Sequence, residues 1–444
     1  MATPKAASGE LPAIALLRKP TGMQITIIAG GSRGDVQPYV ALGIGLKEAG
    51  HTVRILAPRD YHDLISSYGL EFFDMGGGAM AMAQSQIQDI VEQGNILKIL
   101  SATGKGAQQL ALDSARQGLL ACHGSDLILA GFAGLSNGLA LAEKLNIPFF
   151  QAHLMPFTPS SEFPSVLTPR IPQTPFTRWA NNLSHRLAQQ MMWQMLRSAD
   201  TTARTQVLAM KPAPFWGPFA SLQREAQPII YGYSRHVIAP PADWPATNHV
   251  TGYWFLEPPA GWVPPGDLAA FLQAGPPPVY IGFGSMLSRK PEEATELVLK
   301  ALKRTGQRAI LSSGWGGLQG DNLPETMMMV GSVPHSWLFP QMAAVVHHGG
   351  AGTTGAGLAA GIPSIITPFF GDQPFWGQRV HALGVGPRPI PRRYLSVDNL
   401  AEAIRLAISD RTMQKNAATL GERIRAENGV AHAIAVVERL SMKK

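Results

Sequence analysis

Two stretches of this 444-residue chain open in the same way, and that repetition restricts the fold more than any other feature. Gln24-Ile25-Thr26-Ile27-Ile28-Ala29 is a β-prone apolar run ending in Gly30-Gly31-Ser32-Arg33-Gly34, after which Val40, Leu42, Ile44 and Leu46 keep a helical spacing to Gly50. A further strand follows at 52–57. The pattern restarts at Val279-Tyr280-Ile281-Gly282-Phe283-Gly284-Ser285, with a helix over 291–305 and strands at 308–312, 327–330, 344–347 and 364–367. Between the two openings, 126–130 and 148–151 read as buried strands around a helix over 136–145. Strands that are apolar throughout need cover on both faces, so the spacing predicts α/β architecture: two doubly wound, Rossmann-like domains of parallel sheet.

The expected organisation is a loose tail over 1–22, a first domain over 23–250, a linker over 251–276, a second domain over 277–429 and a C-terminal helix over 430–444 able to pack back on the first domain. The linker follows from Glu257-Pro258-Pro259-Ala260-Gly261-Trp262-Val263-Pro264-Pro265-Gly266 and Gly275-Pro276-Pro277-Pro278, which deny regular pairing. Two such domains face each other across a cleft, and ligands of open parallel sheets bind at the carboxyl ends of the strands.

The most informative segment is Val345-Val346-His347-His348-Gly349-Gly350-Ala351-Gly352-Thr353-Thr354-Gly355-Ala356-Gly357. It leaves a buried strand and opens a helix, so backbone N–H groups and a positive helix end converge where side chains are small, and a phosphate fits there. Thr353, Thr354 and His348 add donors. A tight turn with a packed histidine pair is the plainer alternative. The lysine-bearing phosphate loop is absent, as is an Asp-x-Asp pair to hold a divalent metal on a diphosphate, so the expectation is a site that works with neither metal nor cofactor.

Pro368-Phe369-Phe370-Gly371-Asp372-Gln373-Pro374-Phe375-Trp376-Gly377-Gln378 follows the next strand, and its adjacent carboxylate and amide suit the vicinal hydroxyls of a sugar. Capping of the following helix by Asp372 is equally open. In the first domain, Gly30 to Pro38 lacks the G-x-G-x-x-G spacing, and Asp35 would repel a pyrophosphate at that helix end, which makes a nicotinamide-dependent dehydrogenase remote. An acid there suits proton removal from an alcohol, with a helix-capping role as the alternative.

On these residues the sequence resembles the family 1 glycosyltransferases of the GT-B fold, in the branch of the sterol 3-β-glucosyltransferases and bacterial glycopeptide glycosyltransferases. Four segments carry the likeness: 31–38, 278–285, 346–355 and 368–380. Pro156-Phe157-Thr158 and Glu162-Phe163-Pro164 resemble the sterol branch as well. The resemblance implies Asp35 as general base; His348, Gly350, Gly352, Thr353 and Thr354 at the donor diphosphate, with Ser285 as a further phosphate contact; Asp372 and Gln373 on the donor sugar; and Trp315 and Val333 around the uridine. Ser332 stands where plant members have a tryptophan on the uracil.

The implied reaction is inverting, metal-independent transfer of a hexose, glucose from UDP-glucose first, to the hydroxyl of an apolar acceptor such as a sterol. Met75, Met155, Phe157 and Phe163 are the expected acceptor contacts, with Met80, Met82, Met191, Met192, Trp193 and Met195 as further apolar candidates. A phenolic, macrolide or glycopeptide acceptor, a sugar-nucleotide epimerase and a silent sugar-nucleotide binder are the alternatives.

The net charge of +7 is spread evenly, with 18 Lys and Arg against 15 Asp and Glu up to residue 230 and 19 against 15 beyond it. No aromatic ladder accompanies it, so nucleic acid is not an expected partner. Arg178, Arg186, Arg197 and Arg204 form the basic stretch, read as a solvated helix or as a peripheral contact with anionic lipid. One cysteine, Cys122, no apolar run long enough to span a bilayer and no signal-peptide pattern make the cytoplasm the expected compartment.

Overall fold

The computed structural model describes residues 22–77, 104–168, 174–284, 291–314, 318 and 323–442. Ser285, Trp315, Met80, Met82 and the tail up to residue 21 lie outside the described residues.

The first sheet is built from β1 (Gln24–Ile28), β2 (Thr52–Ala57), β3 (Glu71–Asp74), β4 (Leu127–Ala130), β5 (Phe149–His153), β6 (Ile229–Tyr231) and β7 (Asn248–Val250). The second holds β8 (Val279–Gly282), β9 (Ala309–Ser312), β10 (Met327–Val330), β11 (Ala344–His347) and β12 (Ser364–Ile366). Their spatial orders are β3-β2-β1-β4-β5-β6-β7 and β10-β9-β8-β11-β12. Every pairing is parallel, with Ile25 between Val53 and Leu127 in one sheet and Val345 between Tyr280 and Ser364 in the other. The inner strands are apolar because helices cover both faces: Ile25, Ile27 and Ile28 are wholly buried. Three strands without a strong apolar run, β3, β6 and β7, complete the first sheet at its margins.

Each sheet starts in the middle and is wound outward in both directions. The chain leaves β1 toward β2 while β4 takes the opposite side, and β8 stands in the same relation to β9 and β11. At both reversal points the loops beyond the strand ends splay apart and leave a crevice. The helices that matter to it are α1 (Arg33–Glu48), α2 (Thr177–Gln206), α3 (Ala351–Ala360), α4 (Gln373–Ala382) and α5 (Gly429–Ser441).

The proline-rich connection is tied into both domains rather than running free. Trp254 is buried in the first-domain cluster and meets Tyr39 of α1 edge-on at 5.9 Å, while Tyr253 packs beneath α3, where a Cβ on Gly355 would fall 2.7 Å from its ring. Consecutive aromatics therefore point into opposite lobes. Within the stretch 251–276, Gly266–Gln273 forms a helix, since its Pro-free apolar run reaches the second-domain core through Leu268. Helix α5 packs on α1, where the bare backbone of Gly45 admits Val430 and Ile434; a Cβ there would stand 2.5 Å from Val430. Ala433 and Val437 are buried with the first-domain core.

Candidate active site

Asp35 sits in the first turn of α1, immediately beyond the end of β1. Ser32 is the N-cap, and its backbone N–H and its hydroxyl both donate to Asp35 Oδ2 at 2.8 Å. The capping alternative is thus real, as a capping box with Asp35 as third helical residue. Both bonds fall on one oxygen, and Oδ1 has no hydrogen-bond partner among the described residues. The turn requires glycine at position 31, where φ is +109° and a Cβ would lie 2.6 Å from Oδ2. Asp35 is not among the residues that line the cavity, whose wall here is Ser32, Arg33 and Gly34. The protein packed around its carboxylate disfavours the charge and raises its pKa above the usual carboxylate value, against the pull of the Ser32 bonds.

Across the cleft, β11 ends in His347 and the chain turns through Gly349, with φ +92°, into the N-cap Gly350 of α3. His347 is fully buried, and its Nδ1 accepts from the Gly349 N–H at 3.1 Å, which fixes the loop. His348 lies between Gly284 and Gly350, where Cβ atoms would approach its ring to 2.9 and 2.6 Å. Burial pushes its pKa down to about 4, so the imidazole is neutral near pH 7, and its Nδ1 is buried without a partner. The first N–H groups of α3 have no intrahelical acceptor and no capping side chain. Thr353 lines the cleft with them. Thr354 does not: it is wholly buried, with its hydroxyl unpartnered in the helix's inner face.

Asp372 is the N-cap position of α4 and accepts from Trp376 Nε1 at 2.7 Å. Burial in the first place, with repulsion from Asp35 further down, pushes its pKa up to about 6 despite the Trp376 bond. Gln373 is buried, and its Oε1 accepts the N–H groups of Phe369 and Phe370 at 2.8 and 3.3 Å. That end of the amide shapes the loop rather than facing the cleft.

The two lobes touch at these turns. A Cβ on Gly352 would be 3.5 Å from the Gly34 carbonyl oxygen, and the Arg33 guanidinium donates to Ser332 Oγ from the opposite domain. The cavity between them holds about 910 Å³ and is lined by Gly34, Tyr68, Gly284, Val333, His348 and Thr353 among others, within the range of small-molecule sites. Arg33 and His335 are lining residues that the sequence reading did not single out. Arg33 stands inside the same Gly-Ser-Arg-Gly-Asp motif, which was the available signal. His335 stacks on Phe339 at 4.2 Å, and burial first, then Arg33, brings its pKa down to about 4.

The four expected acceptor residues join one apolar cluster, with Met75 and Phe157 buried and Met155 and Phe163 half-buried. None lines the 910 Å³ cavity; Phe157 borders a separate small pocket with Thr158 and Phe219. Phe163 reaches Phe375 of α4 at 6.3 Å, which brings the first-domain loop beside the Asp372 helix. On α2, Met192 and Trp193 face the core, whereas Met191 and Met195 are exposed.

Both family models that match agree with this layout: the glycosyltransferase family 28 N-terminal domain over residues 25–164 and the erythromycin biosynthesis protein CIII-like C-terminal domain over 310–440. The solved glycotransferase of kitacinnamycin superposes with a TM-score of 0.66 at 18% identity, covering 95% of this chain and 99% of its own. A Streptomyces glycosyltransferase in complex with thymidine diphosphate gives 0.59 at 20%, covering 94% and 99%. Two parallel sheets facing one cleft, with these neighbours, define the GT-B glycosyltransferase fold.

Sequence relatives narrow the class. A sterol 3-beta-glucosyltransferase of Arabidopsis thaliana is 37% identical over 94% of this chain and 68% of its own length, and a second is 37% identical over 93% and 64%. One from Cryptococcus neoformans is 35% identical over 95% of this chain, which spans only 27% of that relative. The chain belongs to the sterol 3-beta-glucosyltransferase family. It spans 64% and 27% of the length of the first two relatives it matches. Among the described residues, no helix is long and apolar enough to cross a membrane.

Proposed function

We propose that this protein is an inverting glucosyltransferase that moves glucose from UDP-glucose to the hydroxyl of a sterol. The single observation that carries the proposal is the meeting of the α1 and α3 N-termini at Gly34 and Gly352, which brings the turn that carries Asp35 against the open N–H groups of α3. The donor diphosphate rests on the open N–H groups of α3, with Gly350 and Gly352 allowing the approach and Thr353 and neutral His348 donating to its oxygens. Val333 borders the nucleoside. Asp372, whose second oxygen is left by Trp376, accepts from the sugar hydroxyls, and Gln373 holds the loop that presents it.

Asp35 Oδ1 takes the proton of the acceptor hydroxyl while that oxygen bonds to the anomeric carbon. The bond from that carbon to the diphosphate oxygen breaks on the opposite face, and UDP leaves with the electron pair. A raised carboxylate pKa brings the base closer to neutral pH, where proton transfer is most effective. The charge appearing on the leaving oxygen is met by donors already in place, which favours the transition state over the bound donor. Phe255 of the cavity wall borders the acceptor, and it packs in the same apolar cluster as Met155 and Phe163.

The test is a panel of sterols, flavonoids and macrolides with UDP-glucose and with dTDP-glucose, read by mass. Glucosylated sterol formed from UDP-glucose, with a β-linkage by NMR, is the expected outcome. Product only from flavonoid or macrolide acceptors would overturn the acceptor assignment, and retention of the donor's α-configuration would overturn the role of Asp35.

A further inference from the structure

Helix α2 presents two unlike faces over its 30 residues. The inner face holds the loop that carries Phe157 and Phe163: Asn181 Nδ2 donates to the Ser161 carbonyl at 3.0 Å, His185 Nε2 lies 3.0 Å from the Phe163 carbonyl, and Gln189 Nε2 donates to that of Phe157 at 3.2 Å. The outer face leaves Trp179 at 67% and Leu187 at 59% exposure, with Met191 and Met195 beside them. At 3.6 residues per turn these four side chains share an arc of about 160°.

The face continues into the following loop. Trp193 Nε1 and Gln194 Nε2 both donate to the Phe215 carbonyl, at 3.0 and 2.8 Å, and so pin Phe215 and Trp216 beside the helix. Trp216 is 72% exposed. Arg197 lies 4.7 Å over the Phe215 ring.

Charge on this face has one sign. Asp200 and Arg204 are nearly buried and pair with each other at 3.1 Å, and Arg178 donates to Ser161 Oγ at 3.1 Å on the inner side, which leaves Arg186 and Arg197 as the outward charges of α2. We infer that the outer face of α2 and the Phe215-Trp216 loop form a docking surface for an anionic lipid bilayer. The indole rings sit at headgroup depth, the thioether and Leu187 side chains enter the acyl boundary, and the arginines pair with lipid phosphates. A second copy of the chain is disfavoured as occupant, because a two-fold contact would set these arginines against their own kind. Docking holds the Phe157–Phe163 loop behind α2, one helix diameter, ~10 Å, from the bilayer surface. The use of that orientation, delivery of a membrane alcohol, rests on the proposed acceptor class; the docking surface does not.

The experiment is co-sedimentation of the full chain with phosphatidylcholine vesicles, with and without phosphatidylglycerol, at low and at high salt. Binding to the anionic vesicles alone, weakened by salt, is expected. Trp179→Ala combined with Trp216→Ala should weaken it at least tenfold, and Arg186→Gln or Arg197→Gln about fivefold each. Turnover of a detergent-dispersed acceptor by the same variants verifies that they fold. No sedimentation with anionic vesicles at low salt, unchanged binding by the tryptophan double variant, or a stable dimer abolished by Trp216→Ala overturns the inference. Failure of vesicle binding with turnover intact removes the docking surface alone; vesicle binding without turnover of any sterol removes the acceptor assignment alone.

Discussion

Gly352, in the first turn of α3, lies against Gly34, in the first turn of α1, so closely that a Cβ on Gly352 would stand 3.5 Å from the Gly34 carbonyl oxygen. That is an ordinary van der Waals distance, and it sets the separation of the two lobes where the proposed donor and acceptor meet. Gly352→Ala should be tolerated, with donor affinity within a few-fold of the parent. Gly352→Leu should raise the KM for UDP-glucose at least tenfold, because its side chain fills the space between the turns, with little change in Tm. Steady-state kinetics and thermal melts check both.

Asp35→Asn should lower kcat about 100–10,000-fold while leaving donor affinity nearly unchanged, as expected for loss of a general base. The amide oxygen can still accept from Ser32, so the capping box survives and stability should change by less than about 1 kcal/mol. Turnover near the parent value, measured by UDP release, would exclude Asp35 as the base.

Asp372 ionises with a pKa pushed up to about 6, chiefly by burial and additionally by the charge of Asp35. The repulsion between two carboxylates is mutual, and it is expressed in whichever loses its proton second. UDP-glucose binding should weaken as pH falls through about 6, because a protonated Asp372 is a poorer acceptor for sugar hydroxyls. Asp35→Asn removes the repulsion and should move that limb to lower pH. Trp376→Phe deletes the bond that favours the charged form and should move it upward. Isothermal titration with UDP-glucose in the absence of acceptor reads the limb independently of turnover.

His348→Ala should cost about 100–1,000-fold in kcat, the scale for one preorganised donor to a developing anion. Since burial holds the His348 pKa down to about 4, the parent enzyme should show no His348-dependent limb between pH 5.5 and 8. A cationic imidazole acting there would instead give activity that falls as pH rises through 6 to 7, and NMR titration of the ring distinguishes the two.

The strand–turn–helix units at Gln24–Gly34 and Val345–Gly357 were legible because a continuous apolar run, a glycine turn and a helical period are local properties of consecutive residues. Strands β3, β6 and β7 were not. β4, β8 and β11 are as short but wholly buried and largely apolar. β3 and β7 instead carry polar, partly exposed residues such as Glu71, Asp74 and Asn248, and they form because the growing sheet offers unpaired backbone groups beside them. The two threonines of the donor turn looked equivalent in sequence, but the helical rotation between neighbours sends Thr353 to the cleft and Thr354 into the interior. Likewise Gln373 read as a sugar ligand, while its carbonyl end is occupied by the backbone of its own loop.

Sequence alone determined the two parallel-sheet domains, the glycine turns that end β1 and β11, and the acid and histidine those turns carry, since each depends on residue type and spacing over a dozen positions. Tertiary structure decided that Gly34 meets Gly352, that Arg33 reaches Ser332, that Tyr253 and Trp254 divide between the lobes, and that Met191 and Met195 face outward while Met192 packs inside. These depend on how separately wound sheets settle against one another, an outcome of burying surface between segments hundreds of residues apart that no local pattern encodes.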